Sequence, residues 1–384
     1  MRRLTTLTLS CLLILGTLAL AFSLSAYFYN SHAHYQSNLR GWPPSEFFTQ
    51  AVQWKPANPE QIRILSIDGG AMHGLSSLEI LKEIENQAGR PISDLFDFVA
   101  GTSTGAIIGT ALLLPDEKGK PKYSVDAVIA AYRDLGRQIF SAPLYHKVLT
   151  LDGVLGPMLM NHTRFITSHD LFTDRKFGDL LKPAMVPVFS QHRTELQVFL
   201  NLREPDANLF MAPLISAATS VPAVFPAVEL TGYNEHDGLY SDAALILNNP
   251  VQTAFLHALE RSPDAEFIVV SIGTVTEAEV TREEGVKGGI WNWLQPMMSM
   301  VIAGQSRNSE NDLLMLQEVY PEIRLRSFRF APQFPWVWNT FDASDKNVEH
   351  IEKIGKDYVL KNTDKISEAV KMLIENKPVE LSEN

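Results

Sequence analysis

Cysteine is almost absent: Cys11 is the only one in 384 residues. A single thiol forms no intramolecular disulfide and builds no Cys-rich zinc site. Positive charge is also scarce, with 33 Lys and Arg against 44 Asp and Glu for a net charge of −11. That balance excludes a dedicated nucleic-acid binder, which needs a basic face against the phosphates. No segment repeats at a fixed spacing, and the chain has no H-E-x-x-H or Cys/His cluster, so no metal motif is present. Neither sign of charge occurs between Arg3 and Arg40. What remains is 45% hydrophobic, enough to bury a sizeable core in one large domain or two ordinary ones.

The uncharged start follows Arg2 and Arg3, and Leu4 to Phe28 is almost wholly apolar or small. Cationic residues ahead of such a run describe a secretory signal or a signal-anchor helix over residues 1–30. The run is nearer the ~20 residues of a spanning helix than the ~7–15 of a signal core. Ala19-Leu20-Ala21 nevertheless offers a small-residue cleavage site. Leading basic residues place the N-terminus in the cytosol and the body on the non-cytosolic side. A lipoprotein needs its cysteine after a short apolar stretch, whereas Cys11 lies inside the run. Residues 31–60, broken by Trp42-Pro43-Pro44 and Pro56, read as a linker. The expected catalytic body is 61–376, followed by a tail at 377–384.

Within the body, Ile62 to Ile67 is a β-branched run ending at Asp68-Gly69-Gly70, a strand and its turn. Leu75, Leu78, Leu81 and Ile84 then recur at helical spacing until Gly89-Arg90-Pro91 stops them. A second strand at Phe96 to Ala100 breaks at Gly101-Thr102-Ser103-Thr104-Gly105, and an apolar helix continues from Ala106 to Leu114. Alternating strand and helix implies an α/β fold with a parallel sheet. Gln197 to Leu202 and Phe267 to Ile272 read as further strands. The middle, about Tyr123 to Arg193, reads as mainly helical and loop-like, and Ile351 to Ile374 as one or two closing helices.

The strongest chemical signal is G-x-S-x-G at Gly101 to Gly105, set between strand and helix. There it is a nucleophile elbow, a sharp turn that holds Ser103 Oγ clear of the sheet. The free N–H groups and dipole of the following helix suit an oxyanion at the same spot. Three sources of a base stand open: a triad of Asp242 with His257 or His350, a carboxylate acting directly, or none. The first loop lacks the Lys-Ser/Thr of a P-loop and the spacing of G-x-G-x-x-G, so it is not a nucleotide site. The Trp/Met-rich stretch from Gly289 to Val301 has two readings, an acyl channel or bilayer contact on one side and ordinary core packing on the other.

Taken together, the motifs resemble the patatin-like phospholipase family. Asp68-Gly69-Gly70-Ala71-Met72-His73-Gly74 is similar to its D-G-G-G-x-[RK]-G loop, and Gly101 to Gly105 to its G-T-S-T-G elbow. Asp242-Ala243-Ala244 followed by Asn248-Asn249-Pro250 resembles its Asp-Gly-[Gly/Ala] and Asn-Asn-Pro pair. Ala217 to Pro226 is similar to its A-x-A-T-S-A-A-P-x-x-F-P segment, and Phe341-Asp342-Ala343-Ser344 more weakly to the C-terminal region of the plant members. The likeness runs from about Ile62 to Ile374. It implies a three-layer α/β fold, with a central, mostly parallel sheet flanked by helices.

The same resemblance implies a Ser–Asp dyad without cofactor or metal. Ser103 would be the nucleophile, Asp242 the base, and Gly69, Gly70 and Ala71 the backbone donors of an oxyanion hole. The implied activity is a lipid acyl hydrolase of the phospholipase A or nonspecific glycerolipid esterase type, with a lipid substrate presented at a membrane surface. Three positions depart from the pattern. Ala71 stands for the third glycine of the loop, and Ala243 for the glycine after the aspartate; each costs about 1 kcal/mol if its φ is positive. His73 stands for the Arg or Lys, so a permanent cation becomes a pH-dependent auxiliary group. These departures motivate an alternative reading, a catalytically impaired patatin fold that binds lipid or serves as a scaffold.

Overall fold

The run Q-I-R-I-L-S-I forms strand β1 (Gln61–Ile67), buried at every position, as befits a β-branched segment covered on both faces. The computed structural model describes residues 14–18, 21–22, 49–150, 153, 155–276, 290–334 and 338–375. The other strands are β2 (Phe98–Gly101), β3 (Ala184–Ser190), β4 (Glu195–Leu200), β5 (Val228–Leu230) and β6 (Gly238–Asp242). They are followed by β7 (Glu266–Ile272), β8 (Val275–Thr276), β9 (Leu325–Phe330) and β10 (Gln333–Phe334). Eight strands make one sheet in the order β5-β6-β3-β2-β1-β7-β9, with β4 also on β3, while β8 and β10 pair separately. Pairing is parallel from β3 through β2, β1 and β7 to β9, and antiparallel where β4 and β6 join β3 and β5 joins β6.

The helices that build the other two layers are α1 (Gly74–Ala88), α2 (Thr104–Leu112), α3 (Val125–Ile139), α4 (Asn161–Phe172) and α5 (Met211–Ala218). After them come α6 (Val251–Arg261), α7 (Ile290–Val319), α8 (Asp345–Lys361) and α9 (Thr363–Glu375). Strand side chains alternate between two cores. Leu65, Ile67, Val99, Ile268 and Val270 join residues of α1, α2, α3, α5 and α9 on one face. Ile62, Ile64, Phe98, Phe267 and Val269 meet Val251 and Phe255 of α6 and Leu313 of α7 on the other. The expected three-layer architecture, with its largely parallel sheet, is the one observed.

One edge of β3 positions the site. Ala184 and Met185 pair with β2, whereas Val188 to Ser190 pair with β6 running the opposite way. The C-terminal ends of β2 and β6 therefore approach each other along that edge. β3 itself lay in the stretch that reads as helical and loop-like from sequence. Pro187 speaks against a central strand, yet it falls in the interval where neither β2 nor β6 is paired, and there a missing N–H breaks no pairing on that edge.

The tether expected over 31–60 is not a free linker at its C-terminal end. Trp54 packs edge-on against Phe98 with ring centroids 5.8 Å apart and donates its indole N–H to Ser262 Oγ at 3.0 Å. Most of the signal or anchor segment, the first part of the tether and the tail lie outside the described residues. Among the described residues no helix is long and apolar enough to cross a membrane.

Candidate active site

β2 ends at Gly101, and the chain turns through Thr102 and Ser103 into α2. Ser103 has φ 53° and ψ −119°, a strained conformation for a residue with a Cβ and the expected one for a nucleophile elbow. The turn is this tight because α2 starts against β1: a Cβ on Gly105 would lie 2.1 Å from the Ile67 carbonyl oxygen. Thr102 locks the elbow by donating its backbone N–H to Ile67 O at 3.1 Å and its hydroxyl to Leu247 O at 2.9 Å. Ser103 itself is 5% exposed.

Asp242 closes β6 and meets this elbow. Its backbone N–H donates to Ser220 O at 2.9 Å, and its Oδ1 accepts from Ala244 N–H at 2.8 Å. Oδ2 is buried with no hydrogen-bond partner. Burial raises the carboxyl to about 6; the Ser103 hydroxyl, the Ala244 N–H and the Arg164 charge pull it back down. Ser103 is thus close enough to act on the carboxyl without closing a hydrogen bond to Oδ2. The sheet brings together two residues 139 positions apart in sequence.

The loop after β1 is the third part. Asp68 is held by Arg329 through two hydrogen bonds, Nη1 to Oδ1 at 2.8 Å and Nη2 to Oδ2 at 2.5 Å. Gly69 approaches Ser103 so closely that a Cβ there would lie 3.2 Å from Ser103 Cβ and 2.5 Å from Asn248 Oδ1. Its N–H, expected in the oxyanion hole, instead donates to Asn248 O at 3.1 Å. Gly69 therefore acts as a joint between the first loop and the Asn-Asn-Pro segment. Among the described residues the N–H groups of Gly70 and Ala71 have no protein acceptor, which leaves these two as the donors available to an oxyanion. Ala71 has φ 45°, so this alanine carries the strain that a glycine would not. Ala243 does not have a positive φ and carries no such cost.

His73 departs from the expectation of a pH-dependent cation. Its ring is buried, stacks on Phe334 with centroids 3.9 Å apart, and lies 3.1 Å from Thr340 Oγ1 at Nδ1. Burial, with a smaller push from His350, lowers it to about 3. It stays neutral at physiological pH and packs the loop rather than supplying charge. The alternative triad is not assembled either. His257 lies beside Glu260 on α6, His350 is exposed on α8, and neither is among the groups acting on Asp242. Among the described residues no three His, Cys, Asp or Glu side chains are arranged to hold a metal ion.

An apolar cavity of about 60 Å³ opens beside Ser103. Its walls include Ile107, Val128, Leu135, Leu171, Ile215 and Phe225, supplied by α2, α3, α4, α5 and the loop after α5. That apolar lining suits an acyl chain. Met297, Met300 and Val301 do not line it and are largely exposed on α7.

Three residues at the site escaped sequence reading. Tyr132 of α3 donates its hydroxyl to Ala71 O at 2.7 Å and accepts from the Thr104 hydroxyl, so it ties the first loop to the start of α2. Gln305 of α7 accepts from the Asn248 and Asn249 N–H groups at 2.6 and 2.9 Å. Arg164 of α4 is buried beside Ser220 and Phe225. None sits in a motif, and only the helical periodicity around Tyr132 places it near the core.

Comparison with known proteins agrees with this construction. The family model described as patatin-like phospholipase matches residues 65–255, which take in the first loop, the elbow and Asp242. Patatin-like protein 1 of Arabidopsis thaliana is 23% identical over 346 residues, covering 78% of this chain and 82% of its own length. Patatin-like protein 2 of Oryza sativa subsp. indica is 24% identical over 353 residues, covering 81% of this chain and 87% of its own. Among solved structures, human GIVD cytosolic phospholipase A2 aligns with a TM-score of 0.46 at 10% identity, over 83% of this chain and 61% of that one. The family model thus identifies residues 65–255 as a patatin-like phospholipase domain, and the two plant relatives carry the likeness over most of the chain.

Proposed function

We propose that the chain is a serine carboxylic ester hydrolase that releases fatty acid from glycerolipids or phospholipids, with Ser103 as nucleophile and Asp242 as base. The observation that carries this reading is the strained Ser103, which lines an apolar cavity and acts on a buried carboxylate whose Oδ2 has no partner. In acylation, Ser103 Oγ bonds to the ester carbonyl carbon as its proton passes to Asp242. The oxyanion rests against the Gly70 and Ala71 N–H groups and the start of α2. Collapse breaks the ester C–O bond, and the leaving alcohol takes the proton from Asp242. Water then gives a proton to Asp242, attacks the acyl carbon, and the fatty acid leaves as Ser103 regains its proton. A carboxylate raised to about 6 is a better base than a free one and is still ionised at neutral pH.

The substrate is met at a membrane surface. A net charge of −11 gives no bulk attraction to anionic lipid, so residues 1–30, as signal or anchor, deliver the body to the non-cytosolic side. On this reading lipid hydrolysis depends only weakly on salt.

The test is a lipid panel scored by free fatty acid, run beside labelling with a fluorophosphonate probe. Wild type is expected to release fatty acid and to label. Ser103→Ala should do neither, and Asp242→Asn should lose turnover while staying folded. Near-normal turnover in Asp242→Asn, together with its loss in His257→Ala or His350→Ala, would overturn the dyad.

A further inference from the structure

Arg164 is 2% exposed, and among the described residues no carboxylate lies within ion-pair distance of its guanidinium. A cation in the interior without a direct counter-ion is costly, so its retention there calls for a physical reason. Its contacts converge on one turn. Nη1 donates to Thr219 O at 2.9 Å, and Nη2 to Ser220 Oγ at 2.9 Å and Asn161 Oδ1 at 2.6 Å. The guanidinium also lies over the Phe225 ring, 4.4 Å from its centroid, and borders the cavity beside Ser103. Ser220 is the residue whose carbonyl receives the Asp242 backbone N–H at 2.9 Å. The chain of contacts therefore runs from Arg164 through the 219–220 turn to Asp242.

We propose that Arg164 is the positioning residue for Asp242, fixing the turn from which the aspartate hangs and supplying the buried positive charge opposite it. This inference rests on Asp242 being the base.

The charged and titratable surroundings of Asp242 are few. Ser103 faces it from the start of α2, the Ala244 N–H from its own loop, and Arg164 from α4. The other buried charges near the first loop, Asp68 and Arg329, are closed on each other. The influence is mutual, since burial lowers Arg164 to about 9 and Asp242 opposes that fall. Among the described residues Arg164 is the only cation acting on the carboxyl, so its charge governs how far up the pH scale burial carries the base.

The experiment is the pH profile of kcat/KM on a soluble short-chain p-nitrophenyl ester for wild type, Arg164→Met and Arg164→Lys. Arg164→Met is expected to move the acid limb upward by about one pH unit or more, with about a threefold or greater loss at pH 6.5 that is largely recovered at pH 9. Arg164→Lys keeps the charge but not the planar fork, so its limb should stay near that of wild type while its plateau falls severalfold. A limb in Arg164→Met that coincides with wild type, or a uniform loss at every pH, overturns the proposal. If Arg164→Met does not fold, Arg164→Gln, with a polar head and no charge, takes its place in the same comparison. Fluorophosphonate labelling of wild type separates the two levels. No labelling and no ester turnover sinks the hydrolase reading itself, whereas labelling with an unmoved limb sinks only the role of Arg164.

Discussion

The Tyr132 hydroxyl donates to the carbonyl oxygen of Ala71 at 2.7 Å while accepting from Thr104. One phenol therefore spans the loop proposed to offer N–H groups to the oxyanion and the helix that follows Ser103. Ala71 sits at φ 45°, and its carbonyl accepts from both the Tyr132 hydroxyl and the Gly74 N–H, contacts that help over-determine the strained conformation.

Removing that hydroxyl should cost both rate and stability. Tyr132→Phe leaves the Ala71 carbonyl with the Gly74 N–H alone and the Thr104 hydroxyl without its phenol partner, a loss of about 1 kcal/mol, readable by chemical denaturation. Displacement of the Ala71 N–H from the oxyanion should lower kcat about tenfold with little change in KM. An unchanged kcat would separate Tyr132 from the oxyanion loop.

The two alanines that replace family glycines should respond oppositely to restoring glycine. Ala71→Gly relieves a positive φ and should hold or raise the melting temperature, since the strain of about 1 kcal/mol offsets the entropy glycine gains on unfolding. Ala243 is fully buried without a positive φ, so Ala243→Gly should lower stability by about 1 kcal/mol. Thermal melts of the two variants against wild type test the pair.

Asp242 links activity and stability through pH in opposite directions. Its carboxyl is raised by burial from 3.8 to about 6 in the folded state, so kcat/KM should climb as pH rises through about 6. Stability has the other sign. The fold favours the protonated carboxyl, a contribution fully present below the unfolded value and lost as pH rises through about 6. At pH 8 the ionised group thus costs on the order of 3 kcal/mol relative to low pH. Asp242→Asn should melt higher than wild type at pH 8 and lose that advantage near pH 4. A melting difference that ignores pH would contradict the buried carboxyl.

Gln305 should matter despite its distance in sequence from every motif. Its single side-chain oxygen receives two backbone N–H groups from Asn248 and Asn249, and Asn248 O in turn receives Gly69 N–H. Gln305→Leu leaves both donors unpaired and should destabilise by about 2 kcal/mol or more. It should also slow fluorophosphonate labelling of Ser103, because the first loop loses its brace. Labelling at the wild-type rate would confine Gln305 to a packing role.

The chemistry-bearing parts were legible in local sequence. Local rules were enough for the strand-turn-helix units around Gly69 and Ser103, because a sharp turn against a neighbouring strand admits glycine and little else. The burial of β1 and β7 was legible for the same local reason, an apolar run flanked by turn signals. The strand β3 was not, since Pro187 contradicts a central strand until β2 and β6 are seen to stop on either side of it. Which groups those parts meet follows from the packed chain alone. It turned His73 into a neutral packed ring by stacking it on Phe334, and it assigned the Gly69 N–H to Asn248. It also set Arg164, Tyr132 and Gln305 around the Ser103 and Asp242 pair. Charge state and hydrogen-bond partners depend on burial and on residues brought from distant positions, and neither is encoded in any local spacing.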